Sequence, residues 1–388
     1  MTPGARIAAA IEVLDRILAG EAAERALTTW ARGHRFAGSK DRAAIRDHVF
    51  DALRRKRSLA AQGGAMTGRA ILAAQAGEGA EALFTGEGHA PAPLEASERA
   101  TLARTPEMTE AEALDLPDWL WPAWCKSLGP EAAAAARAQQ DRADLFLRVN
   151  RRRGTVAAAQ AALAAEEIDT EPHPQVRGAL RVTGNPRRLA TSRAYAEGLV
   201  EVQDAASQWA VAQVPLDPGA RVLDYCAGGG GKALAFADRG AVVTAHDIAP
   251  QRMADIPARA KRAGVQIAVA GPRDLDPAAR FDLVFCDAPC SGSGTWRRTP
   301  DAKWRLTPEG LAALGRSQRD ALRGALGHVA SGGRLAYATC SVLHGENDAV
   351  VEEALAADPG LTLESRALRL PDAEGDGFYL ALILRHNP

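Results

Sequence analysis

Cysteine is scarce in this chain, five residues in 388: Cys125, Cys226, Cys286, Cys290 and Cys340. The number is odd, no two form a C-x-x-C pair, and the spacings match no zinc motif. This argues against a disulfide framework or a metal site and fits a reducing cytoplasm. Lysine is also scarce, six of the 47 basic residues. An arginine-rich surface suits phosphate, although a bias toward arginine across a whole proteome would give the same count. A continuous apolar run of about 18 residues is absent, so no membrane-spanning helix is expected. The first residues, MTPGARIAAAIEVLDRIL, carry acids within the apolar pattern and no small-residue cleavage site, and do not read as a signal peptide. Net charge is only −1. It is unevenly spread: residues 1–60 hold 12 Lys/Arg against 7 Asp/Glu, residues 61–118 hold 3 against 10.

What is present is a globular composition, 47% apolar and 24% charged, at a length that calls for two or three domains. Residues 1–90 read as helices. ARIAAAIEVLDRILAG repeats apolar residues at three and four spacing and stops at Gly20, and Ser39 is a cap candidate for the helix over SKDRAAIRDHVFDALRRKRSL. Residues 91–130 read as a linker and helical segment, the acidic tract 78–118 as loops with short helices. The tryptophans of LDLPDWLWPAWCKSLG, 114–129, are expected as core contacts. Residues 131–205 read as a small α+β subdomain. From 206 to 388, strands alternate with helical segments, which predicts a doubly wound, Rossmann-like parallel sheet. The last two strands, LTLESRALRL and GFYLALILRH, are expected at an antiparallel edge.

LDYCAGGGGKA places a glycine loop after the first of these strands. Such a loop lets backbone approach a ligand at a helix N-terminus. A Walker A reading fails, since Cys226 and Ala233 stand where Gly and Ser/Thr are needed. A dinucleotide reading survives formally, with Gly228, Gly230 and Ala233 fitting G-x-G-x-x-A. Asp247 ends the next strand 19 residues after Gly228, where an acid binds two ribose hydroxyls of NAD or of S-adenosylmethionine alike. Asp274, after the third strand, is a candidate for holding an adenine amino group, or is an ordinary loop acid.

FCDAPCSGSG, 285–294, decides between chemistries. Amino-group methyltransferases carry an acid or Asn, then Pro-Pro and an aromatic, at this strand end; here Cys290 replaces the aromatic. YATCS, 337–341, ends the next strand and presents Cys340. Adjacent parallel strands lie about 4.8 Å apart, so their C-terminal tips should bring both thiols to the crevice where open α/β sheets bind ligands. Methylating carbon 5 of a pyrimidine needs a thiolate that adds to carbon 6 and makes carbon 5 nucleophilic. It also needs an acid at ring nitrogen 3 and the exocyclic amine, a role open to Asp287, and a base taken out of its stack. Cys125 and Cys286 are read as inert packing.

The ordered motifs VQDAASQ, LDYCAGGGGK, HDI, DAPCSGSGTWRRTPDAKW and YATCSVLHGEND resemble the Nop/Sun-type, RsmB-like family of RNA cytosine-5 methyltransferases over roughly residues 114–388. The resemblance implies Cys340 as nucleophile, Cys290 as the cysteine that assists product release, and Lys232 and Asp287 in the active site. It implies a site for S-adenosylmethionine built from Cys226, Ala227, Gly228, Gly229, Gly230, Gly231 and Lys232 with Asp247, Asp274 and Asp287. The family loop is C-A-x-P-G-G-K; Gly229 stands here in place of its proline, which puts cofactor affinity in question. RRTPDAKWR, 297–305, is a candidate phosphate grip or a solvated loop. Residues 146–200 resemble the family's small RNA-binding subdomain, and 1–90 a NusB-like helical RNA-binding domain. A cytoplasmic monomer acting on RNA is expected, ribosomal RNA ahead of transfer RNA. Amino-group methylation leaves both cysteines without a role, an inactive RNA-binding assembly factor leaves the cysteines, Lys232 and Asp287 unexplained, and an NAD oxidoreductase lacks a hydride-transfer site.

Overall fold

The computed structural model describes residues 1–387. They form two units: Met1–Arg142 with Trp296–Leu306, and Ala143–Thr295 with the chain from Thr307 onward. None of the described helices is long and apolar enough to cross a membrane.

The first unit is helical. Its opening helix, Pro3–Leu18, starts with the Thr2 hydroxyl accepting the Ala5 N–H at 3.2 Å and buries Ile7, Val13, Leu14 and Ile17 along one face. Ser39 is not the cap of the next basic helix but its first residue; Gly38 precedes it, and the Asp41 carboxylate accepts the Gly38 N–H at 3.3 Å. The acidic tract holds a 3-10 turn at Gly77–Gly79 and the short helices Ala80–Leu83, Ala96–Leu102 and Glu110–Ala113. Of the three clustered tryptophans only Trp124 is fully buried, stacked on Trp296 with ring centroids 5.9 Å apart, whereas Trp119 is 37% exposed.

The unit extends past residue 90, through Arg142, and takes up residues 296–306. This segment folds onto the end of helix Ser39–Arg54, whose last carbonyls have no partner within the helix. Trp304 Nε1 donates to the Leu53 carbonyl at 2.6 Å and Lys303 Nζ to that of Arg54 at 3.3 Å; in return Arg54 Nε donates to the Arg297 carbonyl at 2.6 Å. Arg297 and Lys303 are buried, and Arg305 pairs with Asp301 at 3.7 Å. The segment is therefore neither a solvated loop nor, at these residues, a free phosphate grip.

The second unit holds two sheets. The smaller one has antiparallel strands β1 (Leu145–Val149), β2 (Thr170–Pro172), β3 (Ala179–Val182) and β4 (Val200–Val202) in the order β2-β3-β1-β4, with helix Val156–Ala164 on its apolar side. The larger sheet comprises β5 (Arg221–Asp224), β6 (Val242–His246), β7 (Ile267–Ala270), β8 (Phe281–Asp287), β9 (Val329–Thr339), β10 (Leu361–Arg369) and β11 (Phe378–Arg385), ordered β10-β11-β9-β8-β5-β6-β7. Strands β5 to β9 are parallel; β11 runs antiparallel between β9 and the edge strand β10. Helices cover both faces, as a sheet of near-continuous apolar strands requires. Along β8, Leu283 and Phe285 enter one core while Val284 and Cys286 enter the other, so Cys286 is packing.

Lys303 carries a pH signature. Burial pushes its ammonium down to about 7, only partly offset by the Asp115 charge. The folded value lies below the unfolded one, so the unfolded chain binds more protons between about pH 7 and 10.5, and the fold gains stability as pH rises through that window. We expect Lys303→Met to flatten the rise of melting temperature between pH 7 and 10. An unchanged slope in calorimetry would contradict the assignment.

Candidate functional site

The site sits at the C-terminal ends of β5, β6, β8 and β9. Asp287, the last residue of β8, lies opposite Ala338 of β9, and one residue further the Ala288 N–H donates to the Ala338 carbonyl at 2.9 Å. The two chains then leave the sheet side by side, and Cys290 Sγ lies 3.3 Å from Cys340 Sγ. Holding them so close takes glycine: a Cβ on Gly294 would meet the Gly377 carbonyl oxygen at 2.6 Å, and its N–H donates to the Cys340 carbonyl at 2.9 Å.

A buried carboxylate ties the loops beneath the thiols. Glu346 accepts from the Ser291 N–H at 2.8 Å, the Ser291 hydroxyl at 2.5 Å, the Ser341 hydroxyl at 2.5 Å and Gln318 Nε2 at 2.9 Å. It therefore grips the residue after each cysteine. Charge-assisted bonds of this kind are short and strong, and four donors satisfy a carboxylate that is only 2% exposed. Neither Glu346 nor its serines was singled out as a site residue from sequence. The only available signal was its place in the H-G-E-N-D run after the T-C-S motif.

The two thiols are not equivalent. The hydrogen bond from Cys290 holds Cys340 below the ordinary cysteine value against the opposing effect of burial, with Thr295 and Lys232 assisting. Cys290 is pushed well up, first by that same bond and then by burial and nearby negative charge, Glu346 included. Ionisation is therefore favoured at Cys340 over Cys290.

Lys232 and Asp287, 55 residues apart, meet at 2.5 Å. Burial presses the Lys232 ammonium down, but the Asp287 charge and hydrogen bond outweigh it, and lysine stays above its usual value. The glycine loop passes beside them. Gly228 and Gly230 have φ of +50° and +80°, and a Cβ on Gly230 would strike Ile256 at 2.7 Å, so the turn needs glycine there. Gly229 is exposed and Gly231, which opens helix Gly231–Asp238, is half-buried; Ala227 donates its N–H to the His246 carbonyl at 2.9 Å. The Cys226 side chain is turned to Cys286.

Asp247 is buried. Its carboxylate accepts the Gly228 and Ala249 N–H groups, both at 2.9 Å, and Arg252 covers it at 3.3 Å. Asp274 is exposed and closes its own turn by accepting the Gly271 N–H at 3.0 Å. Beside Asp274 opens a cavity of about 510 Å³ lined by Pro250, Met253, Val269, Gly271, Arg273 and Asp274, among others. Ile248, next to Asp247, is 84% exposed and offers an apolar face at this corner.

Asp224, at the end of β5, was also missed. It is 1% exposed, neither carboxylate oxygen has a hydrogen-bond partner, and burial raises it to about 7. An orphaned acid under a glycine loop, with a second acid on the next strand, suits a cationic ligand that carries hydroxyls. Among the described residues no group of His, Cys, Asp or Glu is arranged to hold a metal.

Comparison with known proteins bears on the family and the fold. Residues 212–383 match the family model described as 16S rRNA methyltransferase RsmB/F, and residues 116–187 that of the RsmF/B-like ferredoxin-like domain. The chain is 33% identical over 295 residues to ribosomal RNA small subunit methyltransferase B of Citrobacter koseri, covering 72% of this chain and 69% of that protein. It is 33% identical to the protein of the same name from Klebsiella pneumoniae, covering 70% and 66%. Among solved structures, PH0851 superposes over 99% of both chains with a TM-score of 0.75 at 22% identity. NSun6 from Pyrococcus horikoshii with SFG covers 70% of this chain and 99% of its own, with a TM-score of 0.61 at 16% identity.

The thiol pair makes a prediction independent of any substrate. Iodoacetamide labelling followed by peptide mass spectrometry should find Cys340 alkylated at lower pH than Cys290. In Cys290→Ala the Cys340 midpoint should move upward, because the bond that stabilises its thiolate is gone. A midpoint unmoved by the substitution would contradict the pairing.

Proposed function

Because the chain belongs to the RsmB/F family of ribosomal RNA methyltransferases, we propose that this S-adenosylmethionine-dependent RNA methyltransferase modifies carbon 5 of a cytosine in ribosomal RNA. The reaction runs through a covalent Cys340–cytosine adduct whose release Cys290 assists. The observation that carries this reading is the pair of thiols 3.3 Å apart, with ionisation favoured at Cys340.

The acids at the strand ends fit the cofactor. Asp224 would face its positive charge, Asp247 its ribose hydroxyls, and the loop 226–232 its backbone-contacting side; Ile248 and Asp274 border the space left for a purine. S-adenosylmethionine, when bound there, supplies an electrophilic methyl group.

The protein groups do the rest. The Cys340 thiolate bonds to carbon 6 of the flipped cytosine, and the carbon 5–carbon 6 π pair moves to carbon 5. Negative charge that develops on the ring is neutralised at nitrogen 3 by a proton passed from the Lys232 ammonium through Asp287, whose carboxylate also accepts from the exocyclic amine. Carbon 5 takes the methyl group, with S-adenosylhomocysteine as the leaving product, and then gives up its proton to water. The electrons of that C–H bond re-form the ring double bond as the sulfur–carbon 6 bond breaks. Sulfur leaves as thiolate, and Cys290, within hydrogen-bond reach, stabilises it. An amino-group transfer would leave both thiols unused.

The test is trapping. Cys290→Ala, incubated with S-adenosylmethionine and total bacterial RNA, should give a protein–RNA band on a denaturing gel, and adding Cys340→Ala should remove it. Cys340→Ala alone should lower methyl transfer at least about a thousandfold. Methyl transfer that survives in Cys340→Ala would overturn the mechanism, and sequencing the trapped RNA would identify the modified nucleotide.

A further inference from the structure

Four consecutive glycines, 228–231, form the turn assigned to the cofactor, and such a turn has no side chains with which to fix its own shape. Within the loop, the Gly228 N–H donates to Asp247 and the Gly230 N–H to the Ala227 carbonyl at 2.8 Å. Two further restraints come from the smaller sheet. Gln203, just beyond β4, donates through Nε2 to the Gly231 carbonyl at 3.1 Å while its Oε1 accepts from Arg148 Nε of β1 at 2.8 Å. Arg259, on helix Ile256–Ala263, donates through Nη1 to the Gly229 carbonyl and through Nη2 to Glu201 of β4 at 3.1 Å. Glu201 is 5% exposed, and its other oxygen accepts from Arg262 at 2.7 Å. Its carboxylate thus has two guanidinium partners and sets where Arg259 points.

We propose that Arg259, oriented by Glu201, is a positioning residue for cofactor binding, holding the Gly229 carbonyl and thereby the tetraglycine loop in its ligand-accepting shape. The inference rests on the assignment of this loop to the cofactor. It gives the Gly229 position a restraint that the residue itself does not provide. A ring or a β-carbon stiffens a backbone covalently; here a guanidinium restrains the carbonyl from outside. It also makes cofactor affinity depend on a residue of the smaller sheet.

The space around Gly229 supplies a specific test. A Cβ placed there would meet only the Arg259 Nη1, at 3.1 Å, so removing the guanidinium leaves room for alanine. Titrate full-length protein with S-adenosylhomocysteine by calorimetry. Arg259→Ala should weaken binding about tenfold, and Glu201→Gln about threefold. Adding Gly229→Ala to Arg259→Ala should recover at least half of the lost affinity on a logarithmic scale, because alanine narrows the freedom of the released loop. A merely structural role for Arg259 predicts a lower melting temperature and no such recovery. Binding within twofold of wild type in Arg259→Ala overturns the proposal, as does a loss that Gly229→Ala does not repair. If Arg259→Ala does not fold, Glu201→Gln decides: affinity within 1.5-fold of wild type overturns it. Asp247→Ala separates the two levels. If it leaves affinity unchanged, the loop is not the cofactor site and both readings fall; if it weakens binding while Arg259→Ala does not, only the role of Arg259 falls.

Discussion

The parallel pairing of β8 with β9, Asp287 opposite Ala338, is the constraint from which the reactive centre follows. Strand spacing alone leaves two tips within about 5 Å of each other. Bringing two sulfurs to 3.3 Å needs the loops beyond the tips to be drawn together as well. The Gly294 N–H on the Cys340 carbonyl and the Glu346 carboxylate do this, each tying one loop to the other.

The same arrangement sorts the charges. Three carboxylates and one ammonium lie at the ends of β5, β6 and β8 and on the loop between, and each is in a different state. Asp287 is paired with Lys232, Asp247 is satisfied by backbone N–H groups and Arg252, and Asp224 has no partner. An unsatisfied buried acid costs stability on its own. Its place at a strand end under a glycine loop suits a cationic ligand, whose charge would add to that of Lys232. Cys340 and Cys290 divide in the same way, one made acidic by the hydrogen bond that the other donates.

Much of this could be read in advance. The alternation of strands and helices after residue 206, the glycine turn, and two cysteines each closing a strand are local patterns, and local patterns survive in sequence because strand and turn propensities act over a few residues. The antiparallel edge was legible for the same reason, from two apolar runs joined by a Gly/Asp-rich turn. The expectation for residues 297–305 failed at Arg297 and Lys303 because basic residues read one at a time look solvated. Arg297 and Lys303 are buried where they complete the carbonyl end of a helix some 250 positions earlier. Trp119 erred in the other direction, a large apolar side chain left partly exposed.

The amino-acid sequence by itself determined the parallel sheet, the glycine loop and the place of two cysteines just past neighbouring strand ends, because each depends on residue type and short spacing. Tertiary structure decided that the two thiols meet, that Glu346 clamps both loops, that the Asp224 carboxylate oxygens have no hydrogen-bond partner, and that Arg259 reaches the Gly229 carbonyl. These depend on distances between residues 30 to 55 positions apart and on how fully each is withdrawn from water, and neither quantity is written in local spacing.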